Sequence, residues 1–340
     1  MNSFWLFRSN IRKNEYYHDI KDLKTFKNQC HDFYLLMPIW FLENNYFDEV
    51  IIWRLTETPQ EDIIFDVCGR PFIQRWVSDF SECLKYPKPM ISFWRGGFQE
   101  YDTVVSKSPD HFGLRLYLGA GRRIIPVFGG SYHRILLEDD NDIRQLQHLH
   151  PIPFYKTANP NIFKPLNLEK EYDICWPANF EQLKYKGQDY FMGLVGACPF
   201  LMNFKIVHCG NKVEVAKEMS KKYCTSNITF AGSVSREDLN ILLNRSKIGV
   251  NMSNGQDGCP RTSTEILMSG TPLLMKESVR LLEYYKQKGV IVSSDRMMIK
   301  KLKAAVADYE TLYNQVLEAR NNELSFEKIC EKNIEIWLKT

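Results

Sequence analysis

From about residue 172 onward, two hydrophobic periods alternate along the chain. "EYDICWPANF", "KIVHCG", "ITFAGSV", "KIGVNMS", "PLLMKES" and "GVIVSS" are short apolar runs with the length of buried strands. Between them, "QDYFMGLVGACPFLMNF" sets Phe191, Leu194, Val195 and Cys198 at helical spacing, and "KVEVAKEMSKKYC" is amphipathic. "SREDLNILLNRS" forms a third helix with Leu239, Leu242 and Leu243 on its inner face, and Ser235 with Asp238 reads as the capping box that opens it. Short strands separated by amphipathic helices predict a doubly wound parallel sheet.

The first half carries a weaker pattern. "DEVIIWRL", "DIIFDV", "KPMISFW", "GLRLYL" and "HRILLEDD" are candidate parallel strands, and "RPFIQRWVSDFSECLKY" is a clear amphipathic helix. "YKTANPNIFKPLNLEKEYD" is rich in Pro and Asn and has no period, as a connection between domains would. The tail predicts two helices with a break near Asn321 and Asn322. The expected division is an α/β domain at 1–165, a second at 166–308, and C-terminal helices at 309–340 that return to the first.

A length of 340 residues suits two domains, and 44% hydrophobic with 25% charged residues is a globular composition. A net charge of +3 gives no electrostatic footprint for nucleic acid. Cations do gather locally: Arg296, Lys300, Lys301 and Lys303 share a predicted helix with Met297, Met298, Ile299 and Leu302. That reads either as a packed helix with a solvated basic face or as a peripheral contact with an anionic membrane. The nine cysteines include no C-x-x-C pair and are odd in number, so neither a zinc site nor a disulfide framework is indicated. The start, "MNSFWLFRSNIRKNEYY", has an apolar run far too short for a signal peptide, no window approaches the ~20 apolar residues of a membrane span, and a reduced, cytoplasmic protein is expected.

The stretch that carries chemistry is "DGCPRTSTEILMSGTPLL", residues 257–274. It follows a strand, so its loop lies where open α/β sheets bind ligands. Thr262 and Ser263 are placed to cap a short helix whose first N–H groups face the loop, and such a terminus attracts an anion. Arg261 adds a cation suited to phosphate. Asp257 and Glu265 flank that site, and carboxylates accept hydrogen bonds from sugar hydroxyls. Together these groups suit a sugar–diphosphate–ribose ligand. A second reading stands beside it: Thr262 and Glu265 also fit a capping box, and Asp257-Gly258 is common turn chemistry.

An acid, seven residues, a Glu and then "ILMSGTPLL" resembles the donor-binding signature of the retaining glycosyltransferases of family four. "NPNIFKP" is similar to that family's linker, "ANFEQLKYKGQDYF" to its Lys-Gly segment, and "ITFAGSVSREDLNILLNRSKIGVNMS" to its Gly-containing strand, helix and strand. The resemblance covers about residues 155–294 and implies the GT-B fold, with two Rossmann-like doubly wound domains facing a cleft. It further implies transfer of a sugar from a nucleotide-diphosphate sugar to a hydroxyl acceptor, a glycan or lipid-linked group or a small molecule, with retention and without a metal or bound cofactor. On it, Glu265 would hold the ribose hydroxyls, Asp257 the transferred sugar, and Lys186 the departing diphosphate. Backbone at Gly258, Cys259, Arg261, Thr262 and Ser263 would meet the sugar and diphosphate, and Gly232, Ser233 and Val234 would line the base pocket. The chain departs from the family at three places. Asp257 replaces a Glu. Phe180 stands where an Arg is common, with Lys184 nearby, and Ile266 stands where Ala is usual.

On the acceptor side, Arg95, Gly96 and Gly97 follow a strand, and His111 and His133 are candidates by position only. Two rival activities use the same pocket, an epimerase of nucleotide sugars and an inactive sugar-nucleotide binder. A third uses Asp140-x-Asp142, which resembles the metal site of GT-A glycosyltransferases.

Overall fold

A computed structural model describes residues 3–7, 33–47, 49–52, 63–66, 90–93, 124–128, 152–153, 155–180, 186–253, 261–277 and 289–339. The chain divides into two compact units, one of Met1–Tyr155 with Cys330–Thr340 and the other of Lys156–Ile329.

The first unit holds a parallel sheet of β1 (Ser3–Phe7), β2 (Glu49–Ile52), β3 (Ile63–Asp66), β4 (Met90–Phe93), β5 (Ile124–Phe128) and β6 (Ile152–Pro153). Their order is β2-β1-β3-β4-β5-β6. Helix α1 (Phe33–Glu43) buries Phe33, Leu36, Met37, Ile39, Trp40 and Phe41, as a helix that is apolar on every side must. The end of the chain packs there: Trp337 lies edge-on to Phe41 at 5.9 Å. Buried Asn333 serves both backbone groups of Tyr155, accepting from its N–H at 3.0 Å and donating to its carbonyl at 2.8 Å. "GLRLYL", "HRILLEDD" and "RPFIQRWVSDFSECLKY" fall outside the described residues, as do Arg95, Gly96, Gly97, His111, His133, Asp140 and Asp142.

The second unit follows the sequence pattern closely. Its strands are β7 (Tyr172–Pro177), β8 (Ile206–Cys209), β9 (Ile228–Gly232), β10 (Ser246–Asn251), β11 (Leu273–Lys276) and β12 (Val290–Ser293). Helices α2 (Gln188–Ala197), α3 (Val213–Lys222), α4 (Arg236–Asn244), α5 (Arg261–Met268), α6 (Met298–Ala307) and α7 (Tyr309–Asn322) complete it, and α8 (Phe326–Leu338) begins there. The sheet is parallel throughout, in the order β12-β11-β10-β7-β8-β9. Every residue of β8 is buried, as on a strand covered on both faces, whereas edge strand β9 buries Ile228 and exposes Thr229 and Ala231. Helix α2 ends at Ala197, earlier than its apolar period suggests, because Pro199 cannot extend it.

The linker is ordered by side chains of α4. Asn240 Oδ1 accepts from the N–H of Lys164 at 3.2 Å, and Asn244 exchanges bonds with the N–H of Leu166 and the carbonyl of Lys164. Along α6, Met298, Leu302, Ala305 and Val306 face inward, while Ile299, Lys300 and Lys303 are exposed. Lys301 donates inward to the Val292 carbonyl, and Lys303 sits 4.7 Å from the centre of the exposed Phe200 ring. The basic face is therefore Arg296, Lys300 and Lys303. No helix among the described residues is long and apolar enough to cross a membrane.

Candidate donor site at the carboxyl ends of the second sheet

In the second sheet the first strand in sequence, β7, is central, and the order reverses between β7 and β10. At such a switch point the loops leaving neighbouring strands part company and open a crevice for a ligand. The exits of β7, β8, β9 and β10, with the helices they feed, define the candidate site.

The β7 and β8 exits are locked together by two asparagines. Asn179 Oδ1 accepts from the N–H of Asn211, and Asn211 Oδ1 from the N–H of Phe180, each at 3.1 Å. Fully buried Gln188 at the start of α2 donates to the Asn179 carbonyl. Phe180 itself points into the core, edge-on to Trp176 at 5.7 Å and His208 at 4.8 Å. The position where the resembling family often has Arg thus belongs to the packing, and Lys184 lies outside the described residues.

Lys186 is half-buried and directly precedes Gly187, whose φ of +70° is left-handed. A Cβ on Gly187 would lie 1.9 Å from the Met252 carbonyl oxygen. The loop entering α2 therefore rests on the backbone just past β10, and Lys186 stands at the switch point.

Asn251, the last residue of β10, organises the other side. Its Nδ2 donates to Ser263 Oγ at 2.8 Å, and its Oδ1 accepts from the Ser253 N–H at 3.0 Å in a turn. Thr262 and Ser263 lie within helix α5 and not at its cap, contrary to the sequence expectation. Its far end is a Schellman stop: the N–H groups of Gly270 (φ +79°) and Thr271 bond the carbonyls of Leu267 and Ile266. Ile266, larger than the family's usual Ala, fits because it faces Gly249, where a Cβ would lie 2.6 Å from Ile266 Cγ2.

Glu265 is the central group. Its side chain is 3% exposed, and Oε1 lies 2.9 Å from Arg236 Nη1 and 3.7 Å from Arg261 Nε. The carboxylate is thus paired with these two cations. Burial pushes the Glu265 carboxyl up from its ordinary value, against the opposing pull of Arg236 and then Arg261. Arg236 is a residue that sequence reasoning missed. It opens α4 one residue beyond Gly232, Ser233 and Val234; the intervening Ser235 caps the helix, its Oγ accepting from the Asp238 N–H at 3.0 Å. The predicted base-pocket loop and the predicted ribose carboxylate are therefore tied by an ion pair. Asp257, Gly258 and Cys259 lie outside the described residues. Among those described, no cluster of three or more His, Cys, Asp or Glu is placed to hold a metal.

His208, near the end of β8, is fully buried between Trp176, Phe180 and Phe230. Its Nε2 donates to the Ala178 carbonyl at 2.8 Å, which leaves Nδ1 as the unprotonated nitrogen, buried and without a partner among the described residues. Burial outweighs that hydrogen bond and pushes its pKa down to about 4. The folded protein therefore holds His208 neutral, while the unfolded chain takes up a proton near pH 6.5. The resulting stability is fully present above pH 6.5 and disappears as the pH falls through about 4, a loss of roughly 3 kcal/mol. Denaturant titrations at pH 7 and pH 4 check this: His208→Gln flattens the acid limb by about that amount.

No family model and no curated protein matches the chain. Solved structures do match along its whole length. Sucrose-phosphate synthase from Thermosynechococcus elongatus aligns with a TM-score of 0.64 at 10% identity, covering 100% of this chain and 99% of that one. A glycosyltransferase from Rickettsia africae aligns at 0.63 and 12% identity, covering 99% and 98%. Anabaena HepE in complex with UDP aligns at 0.60 and 10% identity, covering 100% of both. The chain has the α/β, Rossmann-like GT-B fold of glycosyltransferases. That fold removes the scaffold on which a GT-A reading of Asp140 and Asp142 depended.

Proposed function

We propose that this protein is a glycosyltransferase that moves a sugar from a nucleotide-diphosphate sugar to a hydroxyl acceptor, with retention and without a metal. The observation that carries the reading is the buried Glu265 carboxylate, held by Arg236 and Arg261 at the switch point of a GT-B sheet. A buried acid with fixed cations matches what ribose hydroxyls require of an acceptor group. Fold neighbours support the ligand class: HepE was solved with UDP-glucose, and TarM with UDP and a GlcNAc-glycerol.

In this reading Glu265 orients the ribose, and Asp257 grips hydroxyls of the moving sugar. Gly232, Ser233 and Val234 line the base pocket. The backbone of 258–263 meets the sugar and diphosphate. As the glycosidic bond breaks, negative charge builds on the diphosphate, and Lys186, Arg261 and the start of α5 offset it. The acceptor is a glycan or a lipid-linked hydroxyl, and the exposed Arg296, Lys300 and Lys303 support contact with an anionic membrane on which the latter would lie.

Thermal unfolding against UDP-, GDP- and ADP-sugars tests the reading. The cognate donor at a hundredfold over its dissociation constant adds about 2.7 kcal/mol of stability, and Glu265→Ala, with affinity about 10- to 100-fold weaker, cuts the gain to about 0.4–1.4 kcal/mol. No stabilisation by any of the donors would refute it. Product analysis then separates transfer to an added acceptor from epimerisation and from binding alone, and transfer persists in EDTA.

A further inference from the structure

We infer that Arg236 is a positioning residue: it turns the Glu265 carboxylate so that one oxygen is held by protein and the other meets the ribose hydroxyls of a nucleoside diphosphate. The inference rests on the donor site proposed above and adds to it the residue on which nucleotide recognition depends.

The geometry divides the carboxylate in two. Both arginines approach Oε1, whereas Oε2 makes no hydrogen bond to a described residue. The two cations are not equivalent. Arg236 is 31% exposed and lies at hydrogen-bond distance; Arg261 is 60% exposed and stands 3.7 Å away, so solvent screens it more. Arg236 is also fixed at its base, because Ser235 caps the helix that Arg236 opens. Glu265 is fixed in turn by an α5 whose start is bonded to Asn251. The pair therefore spans two separately anchored elements, the exit of β9 and the helix after β10.

Stability alone does not account for it. A buried ion pair generally contributes no more to folding than a well-packed apolar pair of similar volume. What the ion pair adds is a fixed, ionised acceptor in a place that would otherwise favour the neutral carboxyl, which would donate a proton instead. A ligand hydroxyl bonded to an ionised, oriented oxygen is recognised much more strongly than one bonded to a neutral group.

The experiment measures binding of UDP, GDP and ADP, and of their 2′-deoxy and 3′-deoxy forms, by the full chain and its variants. The wild type prefers the best-bound ribonucleotide over at least one deoxy form by about 10- to 100-fold. Glu265→Ala reduces that preference to within about threefold, and Arg236→Gln does the same although Glu265 is still present. Arg236→Lys, which keeps the charge but loses the fork geometry, falls between; it carries the test if Arg236→Gln does not fold. A purely structural role would weaken ribo and deoxy forms equally and leave the preference intact. If Arg236→Gln and Arg236→Lys retain the full preference while Glu265→Ala loses it, the donor site stands and the positioning role is overturned. If the wild type shows no preference or binds none of the nucleotides, the donor assignment fails and this inference with it.

Discussion

On the proposed donor site, Lys186→Ala is expected to lower the maximal rate of sugar transfer by about 100- to 1,000-fold while changing nucleotide affinity only a few-fold, the magnitude seen when one preorganised group facing developing charge is removed. The asymmetry follows from timing. In a donor bound there, the diphosphate would already carry its charge and be partly neutralised by solvent and by Arg261. In the transition state extra charge appears on the leaving oxygen, and a cation fixed beforehand meets it without reorganisation. The backbone that carries Lys186 is anchored because the next residue, Gly187, rests on the Met252 backbone. Steady-state kinetics with varied donor separate the two effects, since an interaction made only in the transition state lowers kcat and kcat/KM together. A variant that loses affinity as strongly as rate would show Lys186 to be a ground-state anchor, and one that retains the wild-type rate would remove it from the chemistry.

The second unit was legible because each of its signals is local. Strands such as "KIGVNMS" are continuous apolar runs, Ser235 and Asp238 announce a helix start three residues apart, and in the quoted "ILMSGTPLL" Gly270 followed by Pro272 is the local chemistry of a helix stop. All three appear as expected at β10, α4 and the end of α5. In the first unit β2, β3 and β4 appear in the expected runs "DEVIIWRL", "DIIFDV" and "KPMISFW", but other elements gave no signal. Helix α1 is apolar on every side and carries Pro38, so it has no period to read. Strand β5 contains Pro126, which argues against a strand, and β1 is a five-residue run beside a charged stretch.

In the candidate site, spacing drew attention to Glu265 but could not disclose its partner, because Arg236 is 29 positions away and only the fold joins them. Two of the departures from the resembling family also have a packing origin. Ile266 is accommodated by the missing side chain of Gly249, and Phe180 belongs to the aromatic cluster around His208. Motif comparison registers such residues as anomalies because the compensating residue lies on another strand.

Gly187→Ala is the substitution expected to cost the fold most, at least about 3 kcal/mol. Two penalties combine. Alanine at a φ of +70° pays for the left-handed conformation, about 1 kcal/mol. Its Cβ would also lie 1.9 Å from the Met252 carbonyl oxygen, and because that neighbour is backbone, relief requires the loop to lift away from the exit of β10. Gly193, in the same helix, is the control: a Cβ there meets Tyr223 Cε1 at an ordinary 3.5 Å, so Gly193→Ala is neutral or stabilises by up to about 1 kcal/mol through helix propensity. Thermal melts should separate the two variants by about 6 to 12 °C or more. Lifting the loop also displaces Lys186, so on the proposed function any folded Gly187→Ala protein is expected to share the rate defect of Lys186→Ala, whereas Gly193→Ala is expected to keep the wild-type rate. A melting point for Gly187→Ala within 2 °C of wild type would mean that the loop does not rest on β10, and the placement of Lys186 at the switch point would lose its structural basis.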